Sequence, residues 1–168
     1  AVRAIITEWN AMDKSLYTDA SVLNVANTIN SVNWNLPASQ QTTVDGYVIA
    51  IREAMNNLQY KPADYSAVDA AMKNVEEAKK IQAAFATAHN GYSYYTKESY
   101  DALIATTNYQ KGLDIRYQET VNGYATAINN ALLKLTPNAA DYSAVRAAKE
   151  AKDELYKSGM YKIASLTA

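Results

Sequence analysis

Six residues, Ala-Asp-Tyr-Ser-Ala-Val, stand at 63–68 and again at 140–145. They belong to a longer internal repeat, and that repeat restricts the possible folds more than any other feature of the chain. With a shift of 77, residues 43–71 and 120–148 are identical at 16 of 29 positions without a gap. Upstream, Tyr-Thr-Asp-Ala-Ser at 17–21 matches Tyr-Thr-Lys-Glu-Ser at 95–99 with a shift of 78. The extra residue falls near 32–36 in one copy and 110–113 in the other. An insertion inside a packed helix would rotate everything after it, so this length change marks a turn. Self-similarity at such a period means a supersecondary unit that buries its apolar faces against its neighbours. The copies start and stop inside a unit, as an excerpt of a longer array would.

Each copy reads as three helices. In the last, Tyr117, Val121, Tyr124, Ile128, Ala131 and Leu135 recur at alternating steps of four and three, an apolar seam on one helical face. Val44, Tyr47, Ile51, Ala54 and Leu58 follow the same rhythm. The middle helix carries Val22, Val25, Ile29 and Val32, or Tyr100, Leu103 and Thr107, and Thr18 and Thr96 stand at its start as N-caps. The repeated hexapeptide opens the leading helix. Asp64 and Asp141, or else Ser66 and Ser143, satisfy the first amides, and a carboxylate there also suits the helix dipole. Val68, Met72, Val75 and Phe85 continue its apolar face. The Tyr and Val of the motif are expected to lock the new helix against the previous one, and Pro62 and Pro137 to stop the helices before it. Trp9 falls on the spacing Ile5, Trp9, Met12, Leu16 and is expected in the core, as are Tyr47 and Tyr124. Asp69–Lys73, Glu76–Lys80, Lys149–Asp153 and Asp153–Lys157 are four apart, the spacing of helix-surface ion pairs.

No stretch alternates with period two. The expected fold class is therefore all-α: tandem three-helix bundle repeats stacked into an elongated rod. Residues 1–61 form the first unit and 62–137 the second. Residues 138–168 supply an additional C-terminal helix that starts a further unit. Residues 155–166 faintly echo 16–27, with Gly159 where a helix would favour Ala.

Composition excludes several functions. A formal net charge of −1 offers no surplus of cations for phosphates, which argues against nucleic acid and anionic membrane surfaces as main partners. No apolar run reaches the roughly 18–20 residues of a membrane span, so no membrane insertion is expected. The N-terminal segment lacks the basic and apolar regions of a signal peptide. Cysteine is absent, which removes disulfides, thiolate metal sites and cysteine nucleophiles. There are 14 Tyr against one Phe, a bias suited to half-exposed seams and binding surfaces, because the ring covers apolar area while the hydroxyl stays hydrated.

The ordered motifs Tyr-Thr-Asp-Ala-Ser, Gly-Tyr and Ala-Ile, with the same series in the second copy, resemble the FIVAR repeat (found in various architectures). The run Lys-Pro-Ala-Asp-Tyr-Ser-Ala-Val-Asp-Ala-Ala at 61–71 is similar to the linking helix between such repeats. The resemblance covers about residues 1–59 and 65–136, plus the leading helix from 140. It implies three-helix bundles in large secreted or cell wall-associated proteins of Gram-positive bacteria. It further implies neighbouring domains in a longer chain, some for carbohydrate binding or hydrolysis, and in some members adhesion to host matrix proteins such as fibronectin. It carries over no catalytic residue and no cofactor.

The residues themselves hold little sign of catalysis. One His and no Cys leave no triad or zinc set, and no phosphate-cradling or calcium loop occurs. His89 falls in an expected turn. Most acids fall beside Lys on polar faces, where no carboxyl gains the raised pKa of a general acid. Neither a catalytic nor a metal site is expected. The binding candidates are aromatic: Trp34 between Asn33 and Asn35, together with Tyr60, Tyr92 and Tyr94. A flat ring beside amides suits a sugar, whose C–H face stacks while its hydroxyls bond; the alternative for Trp34 is a cap on the bundle end. The expected function is a non-catalytic binding or adhesion module for glycan or host extracellular-matrix protein. The alternative is a structural stalk that holds other domains away from the cell wall.

Overall fold

The structure is a computed structural model and describes residues 1–157. The echo of residues 16–27 lies almost wholly outside the described residues. Seven α-helices are present among the described residues: α1 (Val2–Ala11), α2 (Asp19–Asn30), α3 (Gln41–Asn56), α4 (Ser66–Ala88), α5 (Lys97–Thr106), α6 (Gln118–Leu133) and α7 (Ser143–Lys157). Single 3₁₀ turns at Lys14–Leu16, Ala38–Gln40 and Ile115–Tyr117 lead into or follow them. No strand occurs among the described residues, which contain only isolated antiparallel bridges. The chain is all-α.

The apolar spacing places the helices in two packed groups. In the first, α3 packs on both α1 and α2, and Val2, Ile5, Trp9, Val25, Ile51 and Ala54 are buried between them. In the second, α6 packs on both α4 and α5. Val68, Ala71, Val75 and Ala78 of α4 meet Leu103 of α5 and Val121, Ala125 and Ile128 of α6. Ile51 and Ile128, one repeat apart, are both fully buried, as are Val25 and Leu103. Each such side chain contributes about 1.5–3 kcal/mol through removal from water.

Several sequence expectations need correction. Tyr117 precedes α6 in a 3₁₀ turn, so its ring leaves the seam and is 48% exposed. Tyr47 and Tyr124 are half-buried and pack on the edge of the core instead of within it. Pro62 and Pro137 do not stop α3 and α6, which already end at Asn56 and Leu133. Both prolines sit instead in extended connections, Pro62 bridged to Asp114 and Pro137 to Tyr95. Lysines of α4 meet glutamates three residues away, Lys79 with Glu76 and Lys80 with Glu77, because a long side chain reaches either helical neighbour. Lys149–Asp153 keeps the spacing of four.

Neither candidate is the N-cap of α4, which is Tyr65, but the aspartate one residue before it bonds the first helical amide. Asp64 accepts from the Ser66 amide at 2.8 Å, and Asp141 from the Ser143 amide at 2.8 Å. Thr96 accepts from the Ser99 amide at 3.4 Å. The Thr18 hydroxyl instead donates to the Ser21 hydroxyl at 3.0 Å. These serines have a second role: Ser21 accepts the Gln59 amide at 3.2 Å and Ser99 the Thr136 amide at 3.1 Å.

The same connection is built twice. Thr18 donates its amide to the Gln59 carbonyl at 2.8 Å, and Thr96 to the Thr136 carbonyl at 2.8 Å. Lys61 donates to Leu16 at 2.9 Å and Asn138 to Tyr94 at 2.7 Å. Beyond Lys61 the chain also pairs forward. Ala63 donates to Leu113 at 2.9 Å, Ile115 donates to Lys61 at 2.8 Å, and the Gln118 amide brackets the backbone of Asp64. The Tyr65 hydroxyl donates to the Gln110 carbonyl at 2.8 Å and accepts the Leu113 amide at 3.2 Å. The first hexapeptide thus locks its helix against the elements that follow it, not against those before. The second keeps the Asp–Ser bond, but Tyr142 and Val145 are 59% and 65% exposed.

Candidate functional site

The six aromatic and amide candidates fall at three separate places. Asn33, Trp34 and Asn35 form the turn after α2. The Asn33 carboxamide oxygen accepts the Asn35 amide at 3.0 Å and so shapes the turn. Trp34 is 55% exposed, and the guanidinium of Arg3 lies 5.4 Å from its ring centre. Its ring borders a hollow of about 260 Å³ lined by Val2, Val32, Leu36, Val44 and Tyr47. Trp34 therefore stands at the mouth of a hollow beside the start of α1, with Arg3 and Asn33 also on its walls.

Tyr60 lies in the connection between the two groups. Its ring stacks on Tyr17 with centroids 4.7 Å apart, and the Arg116 guanidinium sits 3.8 Å from its centroid. Arg116 in turn pairs with Asp114 at 2.8 Å. That bond holds the Asp114 carboxyl below its usual range and raises the guanidinium further. The hydrogen bond with Tyr60, together with burial, pushes the Tyr17 phenol up. Tyr60 thus anchors the junction, with its ring engaged by both groups.

Tyr92 and Tyr94 follow the turn that ends α4. This turn needs left-handed backbone at Asn90 (φ 52) and Gly91 (φ 85), which Gly adopts without penalty and Asn tolerates. Both tyrosines border an open depression of about 590 Å³, with Phe85, His89, Asn138 and Asp141 on its other sides. The Tyr94 ring packs edge-on against Phe85 and Tyr95, and its backbone amide bonds the Gln82 side chain at 3.0 Å. Tyr92 is 39% exposed and donates its hydroxyl to the Ala139 carbonyl at 3.2 Å. His89 caps the end of α4 with its ring 4.2 Å from Phe85.

No family model, curated protein or solved structure matches the chain. What the sites can do therefore rests on their own chemistry. The depression combines aromatic walls with amide, imidazole, phenol and carboxylate groups, a set able to hold a small polar ligand with C–H faces. The Trp34 hollow sets Val2, Val32, Leu36 and Val44 beside the Arg3 guanidinium and the Asn33 carboxamide, so it too mixes apolar walls with polar groups. Asp13, Asp64, Asp114 and Asp141 are all shifted downward, in each case mainly by bonds from a turn amide, hydroxyl or guanidinium. They stay ionised at neutral pH, the reverse of what a general acid needs. Among the described residues no three His, Asp or Glu side chains gather as a metal site would require.

Sequence reasoning placed Trp34, Tyr92 and Tyr94 near turns, and it missed the partners that define their surroundings. Arg116 on Tyr60 and Asn138 beside Tyr94 lie more than 40 residues away along the chain. The one legible signal was the repeat itself: Asn138 stands 77 residues after Lys61, the junction residue of the first copy.

Proposed function

We propose that the chain is a non-catalytic repeat region of a secreted or cell wall-associated bacterial protein of the FIVAR type. Its tandem three-helix units follow one another as a rod, and its main role is to space other domains. The observation that supports this reading is the doubly built junction. Each connection pairs with the same backbone positions of its own unit, and residues 61–65 pair forward with 110–115 as well. Connections made only to link domains are exposed and form few such bonds. A stalk needs bonded connections, since bending at any one of them would shorten its reach.

Small-angle scattering of the full chain tests this. A compact body of this length has a radius of gyration of about 15 Å. Two units in line, each with helices of roughly 15–35 Å, give a markedly larger value and a long tail in the distance distribution. A value near the compact limit would overturn the rod, and the spacer role with it.

A second reading, a binding module for glycan or matrix protein, draws support from the depression beside Tyr92 and from exposed Trp34. A glycan array and fibronectin binding, each with Trp34→Ala and Tyr92→Ala as separate variants, decide it. Binding lost in one variant assigns the site, and no binding by the unaltered chain leaves the spacer alone.

A further inference from the structure

We propose that the depression between the end of α4 and residues 138–141 is a binding site for an aliphatic ammonium ligand, a cation carried on a frame rich in C–H groups. The inference rests on the second reading above, that the depression binds a ligand, and adds the charge which that ligand carries.

The turn from a leading helix to the next is made twice, and the first copy fills it with its own cation. After α1, Lys14 folds back over the helix end. Its ammonium donates to the carbonyls of Trp9 at 2.7 Å, Met12 at 3.3 Å and Asn10 at 3.4 Å. It also lies 4.5 Å from the centre of the Trp9 ring. A helix C-terminus presents unsatisfied carbonyls and the negative end of the helix dipole, so a cation is favoured there. The face of an aromatic ring attracts it further.

The second copy has a helix end and rings but no cation at the same turn. With the shift of 78 that aligns Tyr17 with Tyr95, Lys14 falls on Tyr92. The last turn of α4 holds no basic residue. The Thr87 and Ala88 carbonyls accept no hydrogen bond among the described residues, and Ala88 borders the depression. Phe85, Tyr92 and Tyr94 supply rings and Asp141 a carboxylate, and no Lys or Arg is among the bordering residues. The Ser143 amide and hydroxyl hold the Asp141 carboxyl below its ordinary range, so it is charged at neutral pH. The start of α7, which by itself favours an anion, is bonded by that same carboxylate at 2.8 Å. Helix end, ring faces and carboxylate all favour positive charge. The volume of about 590 Å³ exceeds that of a bare ammonium and falls in the range of small-molecule sites.

The walls are built in advance of any ligand. The Asn138 carboxamide donates to the Ser93 and Tyr95 carbonyls, both at 2.9 Å, and the Tyr92 hydroxyl to Ala139 at 3.2 Å. These bonds tie residues 138–139 to the turn at 92–95. The Ser93 and Tyr94 hydroxyls, the Asn90 carboxamide and the His89 imidazole also border the depression. None of these four groups makes a hydrogen bond among the described residues, which leaves them for polar groups on the ligand's frame.

Binding to the 168-residue chain is followed by amide NMR shifts at neutral pH and physiological ionic strength. The charged probes are n-butylammonium and glucosamine. The matched neutral probes are n-butanol and glucose, with a hydroxyl in place of the ammonium. Each cation is expected to bind at least about tenfold more tightly than its neutral partner, with shifts confined to residues 85–94 and 138–141. Asp141→Asn keeps an acceptor for the Ser143 amide. It should weaken the cations about fivefold or more and leave the neutral probes unchanged. Ala88→Lys, at an exposed position, supplies an ammonium at the end of α4 as Lys14 does after α1. It should suppress cation binding without lowering the urea midpoint, which separates loss of the site from loss of the fold. Tighter glucosamine assigns a sugar ring as the frame and tighter butylammonium an alkyl chain; either supports the ammonium assignment. Equal binding of charged and neutral probes, or cation binding indifferent to both variants, overturns this inference and leaves the second reading in place. No shift at residues 85–94 and 138–141 with any probe overturns it and removes the depression from the second reading too.

Discussion

The repeated hexapeptide allows one substitution to be made twice, in identical sequence and opposite environments. Val68 is fully buried and Val145 is 65% exposed. Val68→Ala removes two carbons from the core, a transfer loss of about 1.6 kcal/mol at roughly 0.8 per carbon, and the residual cavity adds to it. Ala is the better helix former by about 0.5 kcal/mol, which offsets part of the loss. The net cost is about 1.5–2.5 kcal/mol. Val145→Ala loses little burial in the 168-residue chain and keeps the propensity gain, so it should be neutral or stabilising by up to about 0.5 kcal/mol. Urea titration followed by circular dichroism measures both, with tryptophan fluorescence reporting on the first group alone, since Trp9 and Trp34 both lie there. Val68→Ala should shift the transition of the α4–α6 group and leave the tryptophan transition in place. In melting, each kcal/mol is worth about 4–8 °C for a unit of 60–100 residues, so the second group should melt about 6–20 °C lower. Equal costs at the two positions, or a Val68→Ala cost below about 1 kcal/mol, would refute the packing argument.

Three other outcomes follow from local features. The Asp64 carboxyl lies below its ordinary 3.8 because the Ser66 amide and hydroxyl bond its charged form. A depressed folded pKa contributes stability above the unfolded value and loses it as pH falls through the folded one. Asp64→Asn keeps an acceptor but not the titration, so its urea midpoint should fall less steeply below pH 4 than that of the unaltered chain. Gly91→Ala places a side chain at φ +85 and should cost about 1 kcal/mol or more, read as a lower midpoint of the second group; Gly46→Ala, in the interior of α3, should not. Arg116→Ala removes the guanidinium from Tyr60 and Asp114 while leaving both cores intact. Proteolysis between residues 57 and 63 should accelerate, with the helix content unchanged.

Positions that recur every three or four residues inside one helix were legible from sequence. Val121 and Ile128 are buried as their spacing requires, and Trp9 with them, at 5% exposure. Tyr117 shares that spacing but not that helix, and periodicity does not reveal where a 3₁₀ turn replaces the first α-helical turn. The prolines misled for a related reason: a residue unable to continue a helix need not be where the helix ends, and both lie in bonded extended segments beyond it. The candidate sites were less legible, because each depends on pairs distant along the chain. Tyr60 reads as a free aromatic until Arg116 is placed on its ring. Trp34 shows its turn in the sequence, but not the Arg3 guanidinium near its ring or the hollow beside it.

Residues 59–63 are held on one side by Leu16 and Thr18 and on the other by Leu113 and Ile115. A peptide gripped along both edges transmits torque. Turning one group about the chain direction therefore turns the other with it, and a stretching load must shear several backbone bonds before any slack is released. The link behaves as a coupling and not as a swivel.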